Sequence, residues 1–296
     1  MTEDINNSRT EKQGSAADDA ESLSASSAAA DSRVNGTKGR WVYIKRAAGG
    51  NRLRLKSALS AAAAAPRTWK FWHVLIAYAV ILGLIQLYFL FAGFFTDSEI
   101  YVISGNMLYT SLFAVVPIFI AAGLFRRPLA EIGLRKEPFF GVLGRGLLSG
   151  YIIYLLVVVV SYVNLLLFPQ AMETPQEIMN IISNPATESY VLFSYIFLTV
   201  ILAPLGEEIF FRGFLYPSLK RPFGRIPAML MAGALFGFVH LDLLHALPLV
   251  VGGIALCWLY DKYNNIWINI IAHALWNAVS VLITLLLRYI PPEFLG

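Results

Sequence analysis

The sequence predicts an all-α fold, a polytopic transmembrane helix bundle of about seven helices behind a disordered polar N-terminal tail. Composition is the first reason. Of 296 residues, 57% are hydrophobic and only 14% charged, where a soluble domain carries about 25% charged residues. The second is the distribution of charge: residues 1–70 hold 12 of the 23 Lys and Arg and 7 of the 19 Asp and Glu. The third is spacing. Seven apolar stretches approach the ~20 residues that a helix needs to cross a bilayer core of ~30 Å.

The elements follow in order. Residues 1–35 are rich in Ser, Ala, Asp and Glu and lack the apolar run of a secretory signal; such a composition reads as disordered. From Arg40 to Lys70 the chain is basic, with no acidic residue. Residues 1–68 therefore read as a cytoplasmic tail, 69–170 as N-terminal membrane helices and 188–290 as the core that bears the chemistry. Apolar segments lie near 71–95, 102–125, 146–168, 189–211, 227–245, 247–260 and 266–288. The sixth is short. Pro169, Pro175 and Pro185 break up the 169–187 stretch, which reads as a loop with a short helix, the site of any eighth element.

Basic residues in short loops mark the cytoplasmic side. Arg126, Arg127, Arg135 and Lys136 face in, as do Lys220, Arg221 and Arg225, and then Lys262; the 96–101 and 169–187 loops carry acids and no base and face out. The alternation puts the N-terminus in the cytoplasm of a multi-pass protein of the cell membrane (plasma or inner), with the lipid bilayer as its first partner. The net charge of +4 arises in the tail. It reads as an orientation signal and a contact for anionic lipid, not as a nucleic-acid surface. The lone cysteine, Cys257, excludes an intramolecular disulfide and a cysteine-based zinc site. Trp69, Trp72, Trp258 and Trp267 fit interfacial belts, and Arg145 and Arg288 fit snorkelling anchors.

One segment carries charges where they are costly. Glu207 and Glu208 sit inside an apolar run, followed by Arg212. A carboxylate at membrane depth is disfavoured by roughly 2.5–3.5 kcal/mol on insertion scales, and such residues mark sites by default. Downstream, His240, His273 and Asn277 lie on two further apolar segments. At ~1.5 Å per residue, Glu207, His240, His273 and Asn277 reach similar depths from the cytoplasmic side. Glu208 and Arg212, four apart, form an ion pair, and His273 and Asn277 share a face. Two adjacent helical residues lie about 100° apart, so Glu207 and Glu208 are not expected to meet one partner; Glu207 is left to face His240. Phe236 walls the site. Gly233 and Gly237 permit close helix approach, as do Gly252 and Gly253.

A carboxylate beside a histidine in a low-dielectric pocket can act as general base toward water, and a second histidine with an asparagine can steady an oxyanion. Two histidines and a glutamate, here Glu207, His240 and His273, would equally suit a zinc site with an open position. Spacing alone does not choose between them, although no His-Glu-x-x-His run is present.

Three motifs stand in order: Glu207-Glu208-Ile209-Phe210-Phe211-Arg212, then Phe236-Gly237-Phe238-Val239-His240, then His273-Ala274-Leu275-Trp276-Asn277. They resemble the CPBP family of intramembrane proteases, which includes type II CAAX prenyl endopeptidases and bacteriocin-processing or immunity-type (Abi-like) proteins. The resemblance covers roughly 190–285. It implies a peptidase acting on a membrane-associated or prenylated peptide or protein substrate, with its site inside the membrane and open toward the cytoplasm. By resemblance, Glu207 activates water with His240 beside it, Glu208 is a supporting acid tied to Arg212, and His273 and Asn277 stabilise the oxyanion. The family has been described with and without a metal, so zinc stays open. Two other functions compete: a catalytically silent immunity or scaffold protein on the same fold, and a proton-coupled transporter. Against the transporter, the sequence has no internal repeat and no paired broken helices.

Overall fold

The computed structural model describes residues 69–92, 94, 98–170 and 176–288; the polar tail lies outside them. The chain divides into a unit of Met1–Arg67 and a unit of Thr68–Gly296, and the second is described here. Its regular elements are helices: α1 (Phe71–Ala92), α2 (Ser98–Ile118, continued by the wider turns Phe119–Leu124), α3 (Phe139–Leu167), α4 (Glu177–Ser183), α5 (Ser189–Phe223), α6 (Arg225–Phe238), α7 (Ala246–Tyr263) and α8 (Ile266–Leu287). Five of them, α1, α2, α3, α5 and α8, are long and apolar enough to cross a membrane. This is a multi-pass all-α bundle, and α4 is the short helix expected within 169–187.

The outer helices show why apolarity alone forms such a fold. In α1 only Val74, Ala77, Ile81 and Ile85 are buried, a stripe at helical spacing, while Leu75, Ile76, Leu82 and Leu87 are exposed. A helix apolar on every side has one face for its neighbours and the rest for lipid. α3 packs against α7 and α8 in the same way, so the early and late helices form one bundle.

Three boundaries differ from expectation. α5 runs for 35 residues, through Pro204 and Pro217. Proline lacks an N–H and crowds the carbonyl four residues back. The helix accommodates both by widening to π turns at Leu198–Leu202 and Glu208–Leu215, each ending just before a proline. Carbonyls within these turns are taken by other parts of the chain: Trp69 Nε1 donates to Phe214 O at 2.9 Å and Asn277 Nδ2 to Thr199 O at 2.8 Å. Trp69 is therefore buried, not part of an interfacial belt. The second difference is that the fifth segment is shorter still than the sixth, and neither is among the five helices long and apolar enough to cross. α6 has 14 residues, about 21 Å of helix, and α7 has 18. The chain leaves α6 after Phe238 because Leu241 takes a positive φ of 54°. Asp242 then closes the loop on His245 Nδ1 at 2.7 Å, and buried Asn164 of α3 pins Leu244 O at 2.7 Å. Third, α3 begins at Phe139, a turn or more before the expected start.

Contacts between helix ends define two poles. At the basic pole, Asp261 pairs with Lys220 and Arg225, Asn265 Nδ2 donates to Glu137 at 2.8 Å, Ile266 N to Gly133 O at 2.8 Å, and Arg221 to Trp69 O at 3.1 Å. At the other pole, Tyr190 Oη donates to Glu99 at 2.7 Å, and Arg288 holds Ile182 O and Pro185 O. Helix contact is closest where side chains vanish. A Cβ on Gly206 would stand 2.2 Å from Thr110 O, so only glycine lets α5 approach α2 beside the glutamates; Gly233 and Gly253 likewise meet backbone to backbone between α6 and α7.

Candidate active site

Glu208 is fully buried, and the fold surrounds it with donors. Arg212 Nη1 donates to Oε1 at 2.6 Å from the next turn of α5, and Asn269 Nδ2 of α8 donates to Oε2 at 3.2 Å. His273 Nδ1 lies 2.9 Å from Oε1. Arg212 is equally enclosed: its second Nη donates to Gly253 O at 3.1 Å, and its guanidinium lies 4.5 Å from the centre of the Phe236 ring. Asn269 also donates to Leu256 O at 2.8 Å. A buried charge of this kind is tolerable only when it is paired and hydrogen-bonded. The expected Glu208–Arg212 pair is present, and the missing side chain of Gly253 permits the close packing of α6 on α7 while its carbonyl accepts from Arg212.

Glu207 has a different setting. Its side chain is 20% exposed and faces a cavity of about 520 Å³ that is also lined by His240, His273, Asn277, Phe236 and Thr199. Its carboxylate lies 3.9 Å from His273 Nε2. The two glutamates do meet one partner after all. Both residues keep ordinary helical backbone angles, so the two carboxylates still diverge; the imidazole lies between them, with Nδ1 at hydrogen-bond distance from Glu208 and Nε2 turned toward Glu207 across a wider gap. His240 stands in the loop after α6, not within a span; its Nδ1 is 2.7 Å from Phe236 O, its ring packs against Phe236, and it faces the cavity.

All six residues named from the sequence thus lie in or directly behind one cavity. Asn277 reaches it while committing an N–H to Thr199 O. Sequence reading missed Asn269. It lies four residues before His273, as Asn277 lies four after, so a polar stripe on an otherwise apolar helix was its signal. Tyr109 and Asn106 also line the cavity from α2 and were not foreseen.

The set Glu207, His240 and His273 is not gathered as three ligands. Among the described residues no three His, Cys, Asp or Glu side chains group as a metal site. These residues as arranged do not fit a zinc ion.

Residues 189–279 match the family described as type II CAAX prenyl endopeptidase Rce1-like. A Bacillus subtilis protein named "Putative membrane peptidase YdiL" is 33% identical over 90 residues, which is 30% of this chain and 37% of that protein. The match thus spans little more than a third of the relative's length. No solved structure matches the chain. The matched residues carry both glutamates, Arg212, His240, His273 and both asparagines of the site, Asn269 and Asn277, and over that stretch the chain is similar to the Rce1-like endopeptidases.

Proposed function

We propose that the chain is an intramembrane endopeptidase in which Glu207 activates a water molecule to attack a peptide carbonyl. The carrying observation is the 3.9 Å separation of Glu207 and His273 Nε2 at the cavity wall. That is too long for a direct hydrogen bond and is the span a bridging water fills. Glu207 takes the water's proton as general base. Glu208, fixed by Arg212 and Asn269, holds the proton of His273 on Nδ1 and so aims Nε2 at the reacting atoms. Glu207 then passes that proton to His273 Nε2, which delivers it to the departing amine as the C–N bond breaks and returns to the neutral ring, and His240, across the cavity, faces the developing oxyanion. The role taken from the family, Glu207 with His240 beside it, becomes Glu207 with His273 as its nearest ring. The substrate is a peptide within or at the membrane, and the family's name makes a prenylated one the first candidate.

The test is cleavage of a peptide library, with and without a prenyl group, by detergent-purified protein, beside Glu207→Ala and His240→Ala, with metal content measured on the same samples. Cleavage lost in folded variants and indifferent to chelators supports the reading. About one zinc per chain, lost together with activity, would replace it by a metallopeptidase. Retained cleavage in both variants would sink it, and so would a well-folded wild type that cuts nothing, which shifts weight to the silent and transport alternatives.

A further inference from the structure

Among the described residues the cavity reaches one pole of the bundle and not the other. Its floor is the aromatic pair Phe211 and Phe236, which lies over buried Arg212, Phe214 and Leu219 on the side of the basic loops. Its rim is formed by Val102 of α2 and Gln176, Glu177 and Met179 at α4, at the opposite pole, where Val102 and Glu177 are exposed. No lining residue belongs to the basic loops 125–138, 219–225 or 260–266.

Charge assigns the poles. Lys70, Arg126, Arg127, Arg135, Lys136, Arg145, Lys220, Arg221, Arg225 and Lys262 all lie at or near the basic pole, and the basic stretch from Arg40 adjoins it in sequence. The other pole holds Arg288, which is spent on the carbonyls of Ile182 and Pro185. Such an imbalance in short loops fixes the basic side in the cytoplasm. The cytoplasm-facing site implied by the family and the orientation implied by the charges therefore cannot both hold for this cavity.

Two further features describe what enters. Among the described residues no Lys or Arg lines the cavity, whereas Glu177 stands at its rim and Glu99 and Glu188 line the adjoining groove. Deeper in, Thr199 is 8% exposed, lines the wall, and its hydroxyl has no hydrogen-bond partner. A buried unpartnered hydroxyl is costly, and an extended peptide away from water needs partners for its N–H and C=O groups.

We propose that the cavity receives an extended peptide from the non-cytoplasmic side, with a positively charged residue at the Glu177 rim and backbone hydrogen bonds to Thr199. This rests on the peptidase reading and adds the route and the charge of the substrate. The test uses cysteine variants of the full chain in a Cys257→Ala background, treated with a membrane-impermeant maleimide. Gln176→Cys and Val102→Cys (two rim positions on different helices) should label in intact cells, and Lys136→Cys only after permeabilisation. Rim labelling should be largely lost in the presence of an apolar peptide bearing a lysine at one end, should persist with its glutamate counterpart, and should no longer distinguish the two in Glu177→Gln. Labelling of Lys136→Cys but neither rim variant in intact cells overturns the route. Equal protection by both peptides overturns the charge rule. The readout needs no catalysis, so a labelled and protected but inactive protein would end the peptidase reading while keeping the entry route.

Discussion

Glu207 and Glu208 are neighbours in sequence but occupy opposite environments. Glu208 is wholly enclosed, with an arginine, an asparagine and a histidine around it. Glu207, one residue earlier, meets a cavity and has its nearest ion-pair partner at 3.9 Å. The first arrangement builds and aims; the second is left with capacity to bind something that is not protein. His273 joins them, with one nitrogen on each side.

The contrast can be broken most severely at Arg212. Arg212→Met leaves Glu208 buried without its cation, and removing one partner of a buried pair costs about 3–5 kcal/mol. The expected outcome is a large fall in melting temperature in detergent. The double variant Glu208→Leu/Arg212→Met should recover much of that loss, since apolar replacement of a whole buried pair is often neutral or stabilising, yet it should remain inactive because His273 is no longer aimed. Activity in the double variant would reduce Glu208 to a structural residue.

Glu207→Gln should do the reverse. Cleavage is expected to drop by about 10²–10⁴-fold, the usual worth of a general base, with the melting temperature unchanged. A smaller effect follows at Asn269, which bridges Glu208 and Leu256 O. Asn269→Ala should cost about 1–3 kcal/mol for the groups left unpaired and lower turnover more than apparent substrate affinity. Asn277→Ala removes one interhelical hydrogen bond to Thr199 O, worth about 0.6 kcal/mol on average in membrane helices; a large loss of activity with that small loss of stability would give Asn277 a role on the oxyanion. The mildest effect belongs to the basic pole. Glu137, in the loop before α3, accepts from Asn265 and Arg145, and these bonds hold its pKa below the ordinary glutamate value. A lowered carboxylate pKa stabilises the fold above the ordinary range, and that contribution fades as pH falls through the folded value. Glu137→Gln should therefore flatten the acid side of the melting-temperature profile slightly and leave cleavage near neutral pH unaltered.

Much of the site was legible because membrane helices make polar residues conspicuous. Glu207, Glu208, Arg212, His240, His273 and Asn277 stood out against apolar surroundings, and an i, i+4 rule paired Glu208 with Arg212 before any coordinates. Asn269 was overlooked because a single asparagine near a helix start also reads as a cap or an interfacial residue. Trp69 was misplaced for a related reason: its position near a span end matches an interfacial belt, and only a freed carbonyl on another helix draws it inward.

The sequence alone determined the all-α membrane bundle, the uneven charge and the residue types of the site, because burial in lipid forces helices and penalises every unneeded charge. Tertiary structure decided what each charged group is for. Pro204 and Pro217 of α5 come with π turns that free carbonyls for Asn277 and Trp69, the missing side chain of Gly206 brings α2 against α5, and the early end of α6 turns His240 from a buried helix residue into a loop residue at a cavity. These outcomes depend on contacts between segments far apart in the chain, and helical periodicity within one segment carries no record of them.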